Sequence, residues 1–232
     1  MEKVVAVLMA ADRDEDWCQR QRGPVADAIL GLGVAGFAVN VRDAAVRHSL
    51  MTLTTSDPPV AAVVSMWTQQ CYGDQIAAAL RLLEAECDHL AAYLVTESVP
   101  LQAPLELGSR TTGLANVALL RRPAELDHAS WLTRWQRDHT PVAIETQSTF
   151  GYTQNAVVRS LTPDAPALAG IVEELFPAEA ITDLKAFFGA ADDADLQHRL
   201  SRMVASTSAF GANENIDTVP TSRYVLKTPF TT

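Results

Sequence analysis

The feature that most constrains the fold is an internal duplication, because one pattern of residues occurs in each half of the 232-residue chain. Residues 22–26 (Arg-Gly-Pro-Val-Ala) reappear as 139–143 (His-Thr-Pro-Val-Ala), and residues 36–40 (Gly-Phe-Ala-Val-Asn) as 151–155 (Gly-Tyr-Thr-Gln-Asn). A tryptophan precedes each copy, Trp17 in the first and Trp131 in the second. We therefore predict two repeats, residues 1–104 and 105–232. Because His139 stands where the first copy has Arg22, the second repeat is expected to carry the working site.

Hydrophobic patterning predicts the order β-α-β-β-α-β in each half. In the first half, strands are expected over 4–10, 39–41, 60–67 and 91–99, with helices over 16–32 and 75–86. In the second half, strands are expected over 114–120, 152–161, 170–176 and 223–227, with helices over 127–147, 178–188 and 193–203. This order is that of a ferredoxin-like unit, whose antiparallel sheet has helices on one face.

The uncovered face of each predicted sheet must also be buried. Two such units can pack sheet against sheet within one chain, which gives an intrachain dimeric α+β barrel. The alternative is two separate domains on the proline-bounded linker 100–104, which would leave large apolar sheet faces exposed. The fold class predicted is therefore α+β, with two ferredoxin-like repeats packed sheet to sheet.

Composition excludes several classes of function. A formal charge of −10 and a pI near 4.9 disfavour binding to nucleic acid or to anionic membranes, which needs clustered Lys and Arg. The apolar run at the start of the chain is too short to span a bilayer. Cys18, Cys71 and Cys87 form no C-x-x-C pair, which indicates reduced thiols and a cytoplasmic location.

Trp131, Trp135 and His139 lie four residues apart, so on a helix they form one stripe that faces the sheet. An imidazole with an ordinary pKa near 6.5 can act as a general acid or base near neutral pH. Burial would favour its neutral, proton-accepting form. The alternative is a core histidine bonded to a backbone carbonyl that Pro141 leaves free.

Polar residues on the neighbouring strands are the expected companions of His139. Side chains alternate along a strand, so either Tyr152 and Gln154 or Thr153 and Asn155 point toward the helices. Glu173 and Glu174 present the same choice, since one must face the pocket and the other must face away. Whichever glutamate faces away is expected to face solvent. The first copy has Ser65 and Met66 at this place and no carboxylate.

Residues 131–143 and 151–155 resemble the EthD-type family of dimeric α+β-barrel proteins, whose pattern is a tryptophan-bearing helix, a His-x-Pro step and a Gly-Tyr-x-x-Asn strand. The resemblance covers most of the second half, and the first half resembles the family as a degenerate copy. It implies a ferredoxin-like barrel of a kind that includes cyclases, dehydratases, decarboxylases, cofactor-free monooxygenases and some haem-degrading enzymes. Fold alone does not choose among these reactions.

The candidate catalytic residues are His139, Tyr152 and Glu174, and the candidate substrate-binding residues are Trp131, Trp135, Gln154, Asn155 and Glu173. The leading hypothesis is a small-molecule enzyme of lyase or cyclase type that transfers protons on an aromatic or polyketide-like carbonyl compound. The alternatives are a cofactor-free or haem-linked monooxygenase and a non-catalytic ligand-binding pseudo-dimer. The five histidines lack metal-ligand spacing, so no metal is expected. No cofactor is expected either, although haem bound by one histidine remains an alternative. Homodimerisation also remains an alternative.

Overall fold

The computed structural model describes residues 1–11 and 13–230. Eight strands form a mixed α+β fold around one closed barrel, and all neighbouring strands are antiparallel. The strands are β1 (Glu2–Met9), β2 (Gly36–Val41), β3 (Val60–Thr68), β4 (His89–Leu101), β5 (Leu114–Leu120), β6 (Gly151–Ser160), β7 (Gly170–Phe176) and β8 (Asp217–Lys227). The predicted α+β class is confirmed.

The barrel order is β1-β3-β2-β8-β5-β7-β6-β4. The first half contributes the consecutive strands β4-β1-β3-β2 and the second half contributes β8-β5-β7-β6, so the two halves have the same internal order. Hydrogen bonds between β2 and β8 and between β4 and β6 join the halves. The expectation of two sheets stacked face to face is therefore replaced by one continuous sheet closed on itself, which leaves no free strand edge.

Helices cover the outside of the barrel. They are α1 (Glu15–Arg22), α2 (Pro24–Gly31), α3 (Asp74–Glu84), α4 (His128–Leu132), α5 (Thr140–Thr146), α6 (Leu184–Phe188) and α7 (Asp193–Ser208). A π-helix (Thr133–His139) lies between α4 and α5, and a 3₁₀ turn (Ala178–Ile181) precedes α6. Within the described residues, no helix combines the length and the apolar character that a membrane crossing requires.

Several predicted boundaries were wrong for identifiable reasons. The helix expected over 16–32 is two helices, because Gly23 leaves helical geometry and Pro24 begins a new helix without an N–H to donate. The helix expected over 178–188 is also interrupted, because Thr182 and Asp183 leave helical geometry and the Asp183 carboxylate caps a new helix, α6. Strand β4 continues to Leu101, into the predicted linker, and β8 begins at Asp217, six residues earlier than predicted.

The core has three layers, because successive side chains on each strand alternate between the barrel interior and the helices. The interior holds an apolar cluster from both halves, including Val5, Val63, Val117, Ile171 and Val219. Outside the barrel, one cluster lies between the first-half strands and α1–α3, and another lies between the second-half strands and the helical run from α4 to α5. The candidate site lies in the second of these outer layers.

Candidate functional site

The helical run from α4 to α5 supplies one wall of the site. Asp127 caps α4 by accepting from the Ser130 backbone N–H, and Trp131, Trp135 and His139 follow at intervals of four residues. All three are buried, as the stripe predicted. The sequence did not indicate the π-helix, which widens the helix over 133–139; such segments are frequent at functional sites.

The strands supply the opposite wall. Glu174 on β7 lies directly between Tyr152 on β6 and Asn116 on β5 in the strand register. All three side chains face the helices and line a cavity of about 160 Å³. The other polar lining residues are Trp135, His139, Gln147, Thr207 and Thr218, and the rest of the lining is apolar: Met51, Ala118, Leu120, Val172, Phe187, Phe188, Met203, Phe210, Ala212 and Ile216.

Glu174 is a buried carboxyl group with no cation beside it in the described part of the chain. Its side chain is 8% exposed, and burial raises its pKa to about 8. With its amide oriented to satisfy its hydrogen bonds, Gln147 donates to Glu174 Oε1 at 3.0 Å and to the Ala143 carbonyl at 3.3 Å. Glu174 is therefore mainly a neutral carboxylic acid at pH 7, able to donate a proton.

His139 is shifted in the opposite sense. Its side chain is 7% exposed, and burial lowers its pKa to about 4, so the ring is neutral at pH 7. Nδ1 lies 2.9 Å from the Ser206 hydroxyl on α7, and the ring packs against Phe210 at 4.9 Å between centroids. A neutral acid and a neutral base thus line the same small cavity.

Tyr152 connects the two walls. Burial, followed by the nearby Glu174, raises the pKa of its phenol, which therefore stays protonated. The hydroxyl lies near the Thr140 hydroxyl, the Gln154 amide and the Trp135 indole N–H, although the indole lacks the geometry of a hydrogen bond. Gln154 donates to Thr140 at 2.6 Å, and Thr140 donates to the Trp135 carbonyl at 3.2 Å.

Of the five predicted substrate-binding residues, only Trp135 lines the cavity, and Trp131 and Gln154 pack beside it. Trp131 is fully buried and donates from Nε1 to the Phe210 carbonyl at 3.1 Å. Gln154 contacts Thr140, as described above, and supports the helix from below. Gly170 explains the close packing here, because a Cβ at that position would lie 2.6 Å from the Trp135 ring. Trp131 and Gln154 therefore both hold Trp135 in place in the structure.

Asn155 and Glu173 point into the barrel interior and not toward His139. Asn155 donates to Glu173 at 3.3 Å, and Asn40 of the first half donates to Glu173 at 3.0 Å. The expectation that one of the paired glutamates faces solvent was wrong, since both are buried. The physical reason is that β7 is covered on both faces, by helices outside and by the opposite strands inside. Glu174 is the one that faces the pocket.

Three site residues were missed by sequence reasoning: Asn116, Gln147 and Ser206. Asn116 is 2% exposed, and its Oδ1 has no hydrogen-bond partner among the described residues. It is the one polar residue in the otherwise apolar strand β5, and this contrast was a usable signal. Gln147 and Ser206 lie at the end of α5 and near the end of α7, and no local pattern distinguishes them from surface residues.

A larger and more open groove of about 760 Å³ lies over β6 and residues 165–169. Its charged residues, including Arg122 and Arg159, are exposed, so water screens their charges. Among the residues that the structure describes, no group of three or more His, Cys, Asp or Glu side chains is placed to hold a metal ion. The smaller cavity therefore remains the candidate site.

No family model and no curated protein matches the sequence. Solved structures do match the fold. An anthrone oxidase-like protein is 9% identical, with a TM-score of 0.57 over 99% of this chain and 95% of that one. A candidate monooxygenase from Fusobacterium nucleatum is 8% identical, with a TM-score of 0.50 over 97% and 93%. Another from Lactobacillus acidophilus is 7% identical, with a TM-score of 0.47 over 97% and 96%. At these identities the likeness is one of fold.

Proposed function

We propose that the chain is a small-molecule enzyme that transfers protons on a compact carbonyl compound, with Glu174 as the acid and His139 as the base. One observation carries this proposal: Glu174, with a pKa near 8, and His139, with a pKa near 4, line the same cavity. Carboxyl and imidazole groups with such opposite shifts suit a paired acid and base.

The step balances without any other reactant. Glu174 donates its proton to the substrate carbonyl oxygen, and a proton on the α-carbon of the substrate passes to His139. The imidazole accepts it at Nε2 when Nδ1–H donates to Ser206 Oγ. The product is an enol, from which dehydration or cyclisation can proceed; loss of CO2 from a β-keto acid would leave the same kind of enol. The enzyme is regenerated when protonated His139 releases its proton and Glu174 takes one up, from the product or from solvent.

The cavity limits the size of the substrate. Its volume of about 160 Å³ is similar to that of an engineered cavity, ~150 Å³, that admits benzene. A single ring that carries a carbonyl group therefore fits, whereas a porphyrin or a fused tricyclic compound would require the helices to move apart. The carbonyl oxygen meets the Glu174 proton, and the free Asn116 oxygen suits a hydroxyl group on the same ring.

Hydrogen exchange tests this step directly. Single-ring hydroxy-ketones incubated in D2O should gain deuterium beside the carbonyl group when the protein is present, as NMR and mass spectrometry would report. The Glu174→Gln variant should lose this exchange, while Arg22→Ala in the first half should retain it. Binding without any exchange or product in the wild-type protein would favour the third hypothesis, a ligand-binding pseudo-dimer.

A monooxygenase is the second candidate, and the names of the structural neighbours favour it. The same enol would then be oxidised by molecular oxygen, with one oxygen atom becoming a carbonyl group on the α-carbon and the other leaving as water, so oxygen uptake is the distinguishing measurement. Product formed under argon at the aerobic rate supports the lyase-type reaction; strict dependence on oxygen supports the monooxygenase.

We also infer that the two halves are ferredoxin-like repeats of one EthD-like unit. The shared strand order supports this, and so does the register: Phe37 lies opposite Met66 as Tyr152 lies opposite Glu174. The resemblance in residues 131–155 places the less altered copy second.

A further inference from the structure

A second cluster of charged groups lies inside the barrel, at one end. Two adjoining cavities of about 90 and 40 Å³ share Thr153, Glu173 and Arg223 in their walls. We call them together the barrel-end chamber. It is separate from the cavity of His139, because Glu173 and the neighbouring Glu174 point to opposite faces of β7.

The carboxylates of the chamber already have partners. Lys3 is only 4% exposed; its ammonium group pairs with Glu97, lies 3.5 Å from Glu173 Oε1, and sits 4.7 Å over the Trp67 ring. Asn40 and Asn155 add amide donors to Glu173, as described above. Although burial alone would raise the pKa of Glu173, these partners and Arg223 lower it, so the group is ionised.

The cations of the chamber exceed its anions. Lys3, Arg223 and Lys227 line it with Glu97 and Glu173, which leaves one positive charge in excess. Lys227 donates to the Val34 carbonyl at 2.7 Å. Arg223 lines both cavities, and none of the ion pairs within residues 1–11 and 13–230 includes it. A guanidinium group so placed suits a carboxylate, which it can bind through two parallel hydrogen bonds.

The size of the chamber restricts what enters. The larger cavity, about 90 Å³, has the volume that roughly three water molecules occupy in the liquid. Residues 228–230 form part of its wall, and Phe230 packs edge-on against Trp67 with 6.3 Å between centroids. A ligand of three to five heavy atoms would therefore fit beside Trp67.

We propose that the barrel-end chamber binds a small monocarboxylate, of formate to propionate size, with Arg223 as its anchor. The bound anion neutralises the excess charge, and Thr153 offers a hydroxyl donor in the same wall. The proposal is independent of proton transfer at Glu174, because the two sites share neither side chains nor cavity.

Calorimetric titration of the full chain with acetate tests this site, and ¹³C-acetate NMR gives a second readout. We expect saturable binding that Arg223→Gln weakens by roughly tenfold or more, as expected for a charge-assisted contact. Arg81→Gln, on the exposed face of α3, is the matched control and should leave affinity unchanged.

Absence of acetate binding, or equal affinity in the wild-type and Arg223→Gln proteins, would overturn the proposal. Circular dichroism establishes whether the variant is folded. If Arg223→Gln fails to fold, Arg223→Lys replaces it, since it keeps the charge but loses the paired hydrogen bonds. Weaker acetate binding in Arg223→Lys then supports the anchor role, and unchanged affinity contradicts it.

Discussion

The helix-facing side of the sheet is filled with apolar side chains in the first half, whereas in the second half it lines a cavity. Met66 on β3 lies between Phe37 and Val4, and all three pack in an apolar cluster under α1–α3. At the equivalent position of the second half, Glu174 lies between Tyr152 and Asn116. Because the strand order is identical, the sheet backbone alone does not create the site. The site also requires the three polar side chains that replace three apolar ones.

The helices that cover the two halves show the same contrast between packing in the first half and a polar cavity in the second. In the first half, Arg22 ends α1 and pairs with Glu15 at 2.8 Å and Asp43 at 3.6 Å, so its charge is used at the helix surface. In the second half, the π-helix carries His139 into the cavity instead. Under the proposed function, the first copy would serve packing, while the second would supply the acid, the base and the cavity.

The strongest test of this comparison is to express the two halves separately. Expressed alone, residues 1–104 and 105–232 should be insoluble or unfolded, because each would expose two strand edges and its share of the barrel interior. Solubility, circular dichroism and size-exclusion chromatography measure the outcome. Two stable monomeric halves would show that each copy folds without the other.

A matched pair of substitutions compares the halves at equivalent positions. Glu174→Gln should lower turnover by about 10²–10⁴-fold, the usual contribution of a general acid, with little effect on folding. Met66→Gln should leave turnover per folded molecule unchanged but destabilise the protein by roughly 1–3 kcal/mol, because it buries an amide among apolar side chains. Steady-state kinetics and thermal denaturation distinguish the two effects. Similar catalytic losses in both variants would reveal a second working site.

The pH profile sharpens the assignment of the acid and the base. Turnover should rise as pH increases through about 4, because His139 must be neutral, and should fall as pH increases through about 8, because Glu174 must keep its proton. His139→Ala should remove the acidic limb, and Glu174→Gln the alkaline limb, from whatever rate remains. A single limb near pH 6.5 would contradict the burial of His139.

Much of this arrangement could be predicted from the sequence. Hydrophobic runs located β5 and β7, and the spacing of Trp131, Trp135 and His139 placed them on one buried stripe. The barrel seams could not be predicted, because pairing of β2 with β8 and of β4 with β6 joins residues far apart in the chain. The lowered pKa of His139 results from burial, to which the distant Phe210 contributes by packing against the ring, and no local pattern connects the two residues.

The two glutamates show where alternation succeeds and where it fails. It correctly required Glu173 and Glu174 to point in opposite directions. It could not tell that both directions are buried, because that depends on closure of the barrel. As a result, the sequence suggested one functional carboxylate and one surface carboxylate, whereas the structure has one in each of two separate cavities.

A smaller effect should appear in the pH dependence of stability. Burial raises the folded-state pKa of Glu174 from 4.5 to about 8, so this group contributes stability that is fully present below pH 4.5 and is lost as pH rises toward 8. Between these values its slope is at most about 1.4 kcal/mol per pH unit. Glu174→Gln should therefore gain stability over the wild type as pH rises, as denaturant titrations at pH 5 and 8 would measure. A constant difference between the two proteins would contradict the shift.

The smallest expected effect belongs to Arg22, the counterpart of His139. Arg22→Ala removes ion pairs to Glu15 and Asp43 and a cation–π contact with Tyr224, whose ring centroid is 5.3 Å away. Such partly exposed contacts are worth about 0–1 kcal/mol each, so thermal denaturation should detect a slight loss. Turnover and its pH profile should stay those of the wild type, since no first-half residue supplies an acid or a base. If turnover instead fell as far as in His139→Ala, the two copies would both be catalytic, and the contrast between filled and hollow faces would no longer separate their roles.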